Sequence, residues 1–293
     1  MKQIHWFPGH MKKAQIEVQD KIKLVDVIVE LLDARIPLSS RNQVLYKLSK
    51  DKTRLVVLTK KDLADPAITD SWINFFKSQG FAAVFADLNN PNDVKNIIHH
   101  VEELGSIKNA KYVAKGMKPQ PVRAMIIGIP NVGKSTLINK VSGRKAASVE
   151  NKPGHTKSQQ WIKVSEKFEL LDTPGILQPN YNDSKVAINL ALIGSMNENI
   201  LPNDQLAIIA FLHLLQNYKK QLLDRFPYLD FDKNVEDNFR LIAKKRGYLT
   251  KGGEDIEKAY KVFLNEVKNG VLGPISFERV EQNAWLPRTI LFW

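Results

Sequence analysis

Residues 128–135, Gly-Ile-Pro-Asn-Val-Gly-Lys-Ser, have the pattern G-x-x-x-x-G-K-S, which is typical of a phosphate-binding loop. In such a loop the backbone N–H groups surround the β-phosphate of a nucleotide, and the following helix N-terminus favours negative charge. The Lys134 ammonium is expected to reach the β- and γ-phosphates, and the Ser135 hydroxyl to bind Mg²⁺. The residues predicted to contact the phosphates are Asn131, Val132, Gly133, Lys134, Ser135 and Thr136.

A second pattern, Asp172-Thr-Pro-Gly175, follows the apolar run 168–171. An aspartate at the end of such a strand holds Mg²⁺, here expected through a water molecule, and Gly175 is expected to meet the γ-phosphate. D-x-x-G occurs by chance in chains of this length, so its position after a strand carries the argument. Thr156, in the loop-like segment 151–156, is a candidate for ordering around the γ-phosphate and for binding Mg²⁺ during catalysis. An ordinary surface turn is the alternative for that segment.

A base-binding element is predicted at Thr59-Lys60-Lys61-Asp62, directly after the apolar run 54–58. It matches the [NT]-K-x-D pattern, whose aspartate accepts hydrogen bonds from N1–H and the 2-amino group of guanine. Adenine lacks that pair of donors, so the carboxylate would remain unpaired. The pattern favours guanine, with a solvated charged turn as the alternative. Asp87 and Leu88, after the run 81–85, are candidates for a second base-contacting loop.

The elements that position these residues are short apolar strands alternating with helical stretches. Strands are predicted over 24–32, 54–58, 81–85 and 123–127, and helices over 67–79, 92–104 and 135–142, closed by Gly80, Gly105 and Gly143. Nearly continuous apolar runs are typical of parallel strands that are buried on both faces. Segments 161–164 and 168–171 are predicted to form a hairpin. The pattern predicts an α/β doubly wound sheet.

Near residue 180 the alternation of strand and helix patterns gives way to helical patterns, which predicts a second domain. Helices are expected over 202–225, 234–245 and 254–268, with no strand alternation. We therefore predict an α/β P-loop domain over 1–180, with an N-terminal arm over 1–20, followed by an all-helical C-terminal domain over 181–293.

Composition narrows the class of protein. The 293 residues carry 43 Lys and Arg against 31 Asp and Glu, a formal net charge of +12, which favours a polyanionic partner. Cysteine is absent, which excludes a disulfide-linked partner, thiolate metal sites and a cysteine nucleophile. The N-terminal residues have no apolar stretch typical of a signal peptide, and no run has the length of a membrane helix. A cytoplasmic protein with no membrane partner is expected.

The order of the motifs is base loop, phosphate loop, Thr156 and then Asp172–Gly175, which is not the order of a Ras-like protein. A circular permutation preserves the site when the original termini lie close together. The sequence resembles the circularly permuted GTPases, in particular the ribosome biogenesis GTPase A family. The opening His5-Trp-Phe-Pro-Gly-His10-Met11 and the segment Leu31-Leu-Asp-Ala-Arg-Ile-Pro37 carry this resemblance together with the motifs above. The resemblance implies GTP and GDP as ligands, maturation of the large ribosomal subunit, and binding to ribosomal RNA.

Hydrolysis needs a group that orients the attacking water. Ras-type enzymes have a glutamine directly after D-x-x-G, but Ile176 stands there and cannot form a hydrogen bond. The resemblance supplies His10 as the candidate, since an imidazole can position water near neutral pH. His155 is a rival, and a structural N-terminal arm is the alternative reading of His10. The resemblance also implies a K⁺ site at Asn131, where a turn preference is the alternative explanation.

Three basic clusters are candidates for RNA contact: Lys2, Lys12 and Lys13 near Trp6 and Phe7; Lys108, Lys111, Lys115, Lys118 and Arg123; and Lys244, Lys245 and Arg246. Solvated surface charge is the alternative for any one of them. The sequence predicts a GTP-hydrolysing assembly factor. The alternatives are an ATP-dependent P-loop kinase and a GTP-gated RNA-binding or signalling switch with negligible turnover.

Overall fold

The computed structural model describes residues 4–5, 16, 18–143, 161–171, 180–181, 184–196 and 201–283. Its strands are β1 (Ile4–His5), β2 (Val27–Asp33), β3 (Thr53–Thr59), β4 (Ala82–Ala86), β5 (Val122–Ile127), β6 (Trp161–Ser165), β7 (Phe168–Leu171), β8 (Asn180–Tyr181), β9 (Leu249–Thr250) and β10 (Gly253–Glu254). Its helices are α1 (Gln43–Leu48), α2 (Pro66–Ser78), α3 (Pro91–Val113), α4 (Lys134–Ser142), α5 (Ser184–Leu192), α6 (Asn203–Asn217), α7 (Lys219–Arg225), α8 (Val235–Lys245), α9 (Ile256–Lys268) and α10 (Val280–Asn283). Residues 61–63 form a single 3₁₀ turn.

Six strands form the central sheet in the order β4-β3-β2-β5-β7-β6. All neighbours are parallel except β6 and β7, which form the predicted antiparallel hairpin. The strands β2 and β3 are buried along almost their whole length, because helices cover both faces of a parallel sheet. The predicted α/β class is confirmed. The strand predicted over 24–32 is β2, which begins at Val27 rather than residue 24, since Leu24 lies in an exposed turn.

Two helix boundaries differ from the prediction for reasons of packing. Gly105 does not end α3, which continues to Val113. A Cβ at this position would lie 2.3 Å from a methyl carbon of Val122, so the glycine allows the helix to approach β5 closely. The predicted helix 202–225 is divided at Tyr218, whose backbone is not helical. The Tyr218 hydroxyl accepts a hydrogen bond from the N–H of Ser276, a contact that local sequence does not reveal.

The C-terminal helices pack around an aromatic cluster of Phe211, Phe226, Phe239 and Phe263, all of them buried. A short hairpin of two-residue strands, β9 and β10, lies between α8 and α9, so the expectation of helices alone was wrong in this detail. The buried core continues from the sheet into these helices. Trp72 of α2, for example, donates its indole N–H to Glu278 O at 3.1 Å. A boundary at residue 180 stays a prediction.

A buried charge cluster stabilises the middle of the sheet. Glu30 of β2 is 2% exposed and accepts hydrogen bonds from Arg41, while Arg54 of β3 lies 3.0 Å away. Burial raises the pKa of the Glu30 carboxyl, but the two guanidinium groups outweigh burial and hold the pKa below its usual range. This explains how a glutamate fits within an apolar strand.

Among the described residues, no helix has the length and apolarity that a bilayer crossing requires.

Candidate nucleotide-binding site

A cavity of about 570 Å³ lies at the carboxyl ends of the parallel strands. Here β2 is the neighbour of both β3 and β5, so the chain leaves the sheet in two directions, and such switch points are where α/β proteins bind ligands. Eight residues predicted from the sequence line this cavity: Lys60, Asp62, Asp87, Leu88, Asn131, Val132, Gly133 and Thr136. The phosphate loop and the base loop therefore meet as the motifs predict.

The phosphate loop connects β5 to α4. Gly133 precedes the helix with a φ of 104°, a conformation that favours glycine. Lys134 is buried, and its ammonium donates hydrogen bonds to Gly128 O at 3.1 Å and Ile129 O at 2.7 Å. In this structure the ammonium therefore lies against the backbone of the phosphate loop itself, and its predicted contact with the β- and γ-phosphates stays a prediction. Ser135 is half-buried at the second residue of α4, where backbone N–H groups are free of helical partners.

Thr59, at the end of β3, connects the base loop to the phosphate loop. Its buried hydroxyl lies 2.8 Å from Val132 O and 3.1 Å from Leu32 O. Thr59 therefore positions the two loops and is enclosed between backbone groups. A direct contact to a base was the expectation for this residue, and the geometry indicates positioning.

Lys60 has a left-handed backbone, with a φ of 56°, which is unfavourable for a residue with a side chain. An ion pair stabilises it: the Lys60 ammonium lies 3.2 Å from a carboxylate oxygen of Asp33, which is fully buried at the end of β2. Burial lowers the pKa of Lys60, although Asp33 opposes this effect. Lys61 points elsewhere, with its ammonium 2.6 Å from Asp93 and over the ring of Phe85.

Asp62 is exposed in the 3₁₀ turn and lines the cavity. Among the described residues, its carboxylate accepts no hydrogen bond, so its oxygens are available to a ligand. Asp87 differs: its carboxylate accepts the N–H of Asn89 at 2.8 Å and so shapes its own loop. The geometry therefore favours Asp62 as the residue that reads a base, and Asp87 as a support for the second loop.

Asn131 lies in the phosphate loop with a φ of 60°, a conformation that asparagine tolerates better than most residues. Its side-chain amide donates a hydrogen bond to Gly194 O at 2.8 Å, and the Ser195 hydroxyl donates to Pro130 O at 3.0 Å. The phosphate loop is thus joined to the turn that follows α5. This contact gives Asn131 a structural role beside the K⁺ site that the resemblance implies.

Arg35 is the functional residue that the sequence analysis missed. Its guanidinium donates two hydrogen bonds to the Asp33 carboxylate at 2.9 Å and one to Lys268 O, at the end of α9, at 2.8 Å. Burial raises the pKa of Asp33, but Arg35 and Lys60 outweigh it and keep that pKa well below its usual range. Arg35 therefore joins Asp33, which also binds Lys60 of the base loop, to the end of α9. Its charge within a turn gave no local signal of this contact.

Glu278, from the C-terminal region, holds the segment 38–39 that follows Arg35. Its buried carboxylate accepts hydrogen bonds from the N–H groups of Leu38 and Ser39, from the Ser39 hydroxyl, and from the Asn189 amide of α5. Burial is strong enough to raise the pKa of Glu278 in spite of these bonds. Three separate segments of the chain are thus fixed together behind Arg35.

Several predicted residues lie outside the described residues: His10, His155, Thr156, Asp172 and Gly175. Their roles stay predictions. The described residues contain no group of three or more His, Cys, Asp or Glu that could hold a metal ion. The strand β1 pairs antiparallel with β8, so that His5 is opposite Asn180.

The described residues of the basic clusters fall into two groups, exposed lysines and arginines that form ion pairs. Lys115, Lys118, Lys244 and Lys245 are exposed. Arg123 is held 3.1 Å from Glu169, and Arg246 binds Glu266 at 2.6 Å and lies over the ring of Phe226. Arg246 is therefore part of the packing of the helical region, and its inclusion in an RNA-binding cluster is not supported by its contacts.

Comparison with known proteins places these findings in a family. Residues 123–229 match the family described as "50S ribosome-binding GTPase". The chain is 42% identical over 280 residues to ribosome biogenesis GTPase A of Bacillus cereus, covering 95% of each chain. A GDP-bound structure of TM YlqF has a TM-score of 0.67 at 30% identity, covering 90% of this chain and 99% of that one. A GNP-bound structure of YlqF from T. maritima has a TM-score of 0.63 at 30% identity, with coverages of 92% and 99%.

Proposed function

The chain belongs to the family of ribosome biogenesis GTPase A, and we propose that it acts on a precursor of the large ribosomal subunit, bound through ribosomal RNA. The protein is a P-loop GTPase of ribosome biogenesis that binds GTP and GDP. The observation that supports the site assignment is the meeting of Asp62 and the phosphate loop in one cavity. A cytoplasmic location is part of the proposal, because ribosomal precursors of bacteria are assembled there.

We propose the following roles within the cavity. Asp62 accepts hydrogen bonds from guanine, Lys134 binds the β- and γ-phosphates, and Gly175 meets the γ-phosphate. Ser135 and Thr156 bind Mg²⁺, with Asp172 acting through water. The Ser135 hydroxyl, near the N-terminus of α4, is a hard oxygen donor that suits Mg²⁺ beside phosphate oxygens. The ion would neutralise charge that develops on the phosphates during hydrolysis. A K⁺ ion at Asn131 would add positive charge there.

Lys134→Ala is expected to weaken GDP and GTP binding at least ~100-fold, since charge-assisted hydrogen bonds to phosphate are lost. Ser135→Ala is expected to weaken binding in Mg²⁺ and to have much less effect in EDTA. Titration of a fluorescent guanine nucleotide measures both. Lys140→Ala, an exposed lysine on the same helix, is the matched control and should bind normally. Nucleotide affinity that survives both changes would show that the phosphate loop has been misassigned.

The helical region over 181–293 is proposed to carry the ribosome-binding surface. Within this region, Lys244 and Lys245 are exposed at the end of α8, and the exposed Lys115 and Lys118 before β5 are proposed to extend the surface onto the P-loop domain. Exposed lysines of this kind bind RNA phosphates without reading base sequence. Partnered arginines such as Arg246 serve packing instead.

Binding to the particle is expected to depend on the nucleotide, because γ-phosphate contacts order the loops next to the helical region. We expect the protein to bind large-subunit precursors about tenfold more tightly with a non-hydrolysable GTP analogue bound than with GDP bound. This difference corresponds to a coupling free energy of ~1.4 kcal/mol. The measurement is a titration of particles at one fixed salt concentration. Binding that is equal in both nucleotides would refute the coupling, and binding to mature small subunits alone would refute the substrate.

A further inference from the structure

The phosphate and base loops do not complete the cavity by themselves. The end of α9 also lines it, through Asn265, Lys268 and Asn269, as does the turn at Ile193 and Gly194 after α5. These residues lie beyond position 180, within the region that the sequence predicts to be a separate helical domain. A nucleotide in this cavity would therefore lie within reach of side chains from both parts of the chain.

The last turn of α9 is fixed at the cavity by backbone contacts. Lys268 O accepts the hydrogen bond from Arg35 at 2.8 Å, and Arg35 is itself held by Asp33. Further along, the N–H of Ile275 donates to Leu63 O at 2.9 Å, directly after Asp62. The end of α9 is thus joined to Arg35, and the segment that follows α9 is joined to the residue after Asp62.

The Lys268 side chain lies over Gly194, which is hydrogen-bonded to Asn131 of the phosphate loop. A Cβ on Gly194 would lie 2.3 Å from the Lys268 ammonium nitrogen, so this glycine leaves the space that the lysine occupies. Gly194 also has a φ of 72° and accepts the amide of Asn131. The ammonium is therefore close to the loop whose N–H groups are expected to surround the β-phosphate.

Cationic side chains line the cavity, those of Arg35, Lys60 and Lys268, beside the carboxylates of Asp62 and Asp87. The Asp33 carboxylate is shared between Lys60 and Arg35. A nucleotide phosphate near Lys268 would be attracted to its ammonium, since opposite charges attract strongly where water is partly excluded.

We propose that Lys268 binds the ribose–diphosphate part of the guanine nucleotide, so that the C-terminal helices supply part of the nucleotide site. This inference rests on the proposed assignment of the cavity as that site. GDP and GTP share the contacted part, so either nucleotide fixes the end of α9. The contact is separate from the γ-phosphate, which distinguishes GTP from GDP through the loops.

Lys268→Ala is expected to lower the affinities for GDP and for a non-hydrolysable GTP analogue by the same factor, about tenfold, because one charge-assisted contact is lost. Isothermal titration of the full-length protein measures both affinities. Lys261→Ala is the matched control, since Lys261 is an exposed lysine on the same helix that does not line the cavity. It should bind both nucleotides within about twofold of the unmodified chain.

A second measurement needs no variant. Amide hydrogen exchange at residues 265–270 of the unmodified chain is expected to slow in GDP, because the nucleotide holds the end of α9 in place. Unchanged affinity in Lys268→Ala, a loss confined to the GTP analogue, or unchanged exchange in GDP would each overturn the inference. Failure of the unmodified chain to bind GDP would instead overturn the assignment of the cavity.

Discussion

Asp62→Asn is expected to reverse the base preference of the site. The affinity for GTP should fall ~10²–10⁴-fold, and xanthosine triphosphate should become the preferred nucleotide. The Asp62 carboxylate lines the cavity and accepts no hydrogen bond among the described residues, so two acceptor oxygens are available to guanine N1–H and the 2-amino group. Hydrogen bonds to a charged group contribute ~1.5–3 kcal/mol each, and an asparagine amide cannot accept both. Xanthine has a carbonyl in place of the 2-amino group, and that carbonyl can accept from the new amide.

Competition of unlabelled GTP and xanthosine triphosphate against a labelled nucleotide measures this change. Asp70→Asn is the matched control, because Asp70 is an exposed carboxylate on the next helix, α2, outside the cavity. It should keep the preference for GTP. A preference that is the same in Asp62→Asn and in the unmodified chain would show that another residue reads the base.

Much of the site could be predicted because its motifs are short and follow strands. Val122–Ile127 and Thr53–Thr59 are mostly apolar and mostly buried, and the phosphate and base loops begin where these strands end. Parallel strands bring their carboxyl ends to one edge of the sheet. Two local patterns separated along the chain therefore predict one shared cavity without any knowledge of the strand order.

Contacts between distant segments could not be predicted in this way. Arg35 and Lys268 are 233 residues apart, and a charged residue in a turn is most often solvated. The same limit explains Gly105, where a glycine typical of a helix end instead allows packing against Val122. It also explains Tyr218, where a tertiary hydrogen bond interrupts a helical pattern. In each case packing in the folded chain outweighs a local preference.

His10→Ala is expected to slow GTP hydrolysis by ~10²–10⁴-fold while GTP affinity stays nearly unchanged, because water positioning acts in the transition state. His10 lies outside the described residues, so its role stays a prediction that rests on the family resemblance.

Single-turnover hydrolysis with and without ribosomal precursor, beside an affinity titration, separates the two effects. His99→Ala is the matched control, an exposed histidine on α3 that should hydrolyse GTP at the unmodified rate. If the hydrolysis rate is unchanged in His10→Ala but falls in His155→Ala, His155 would be the residue that positions the attacking water. A rate that survives in both, and rises when precursor is added, would assign it to a group that the particle supplies. Ile176 cannot form a hydrogen bond to water, and these outcomes distinguish the three candidate sources of the group that orients it.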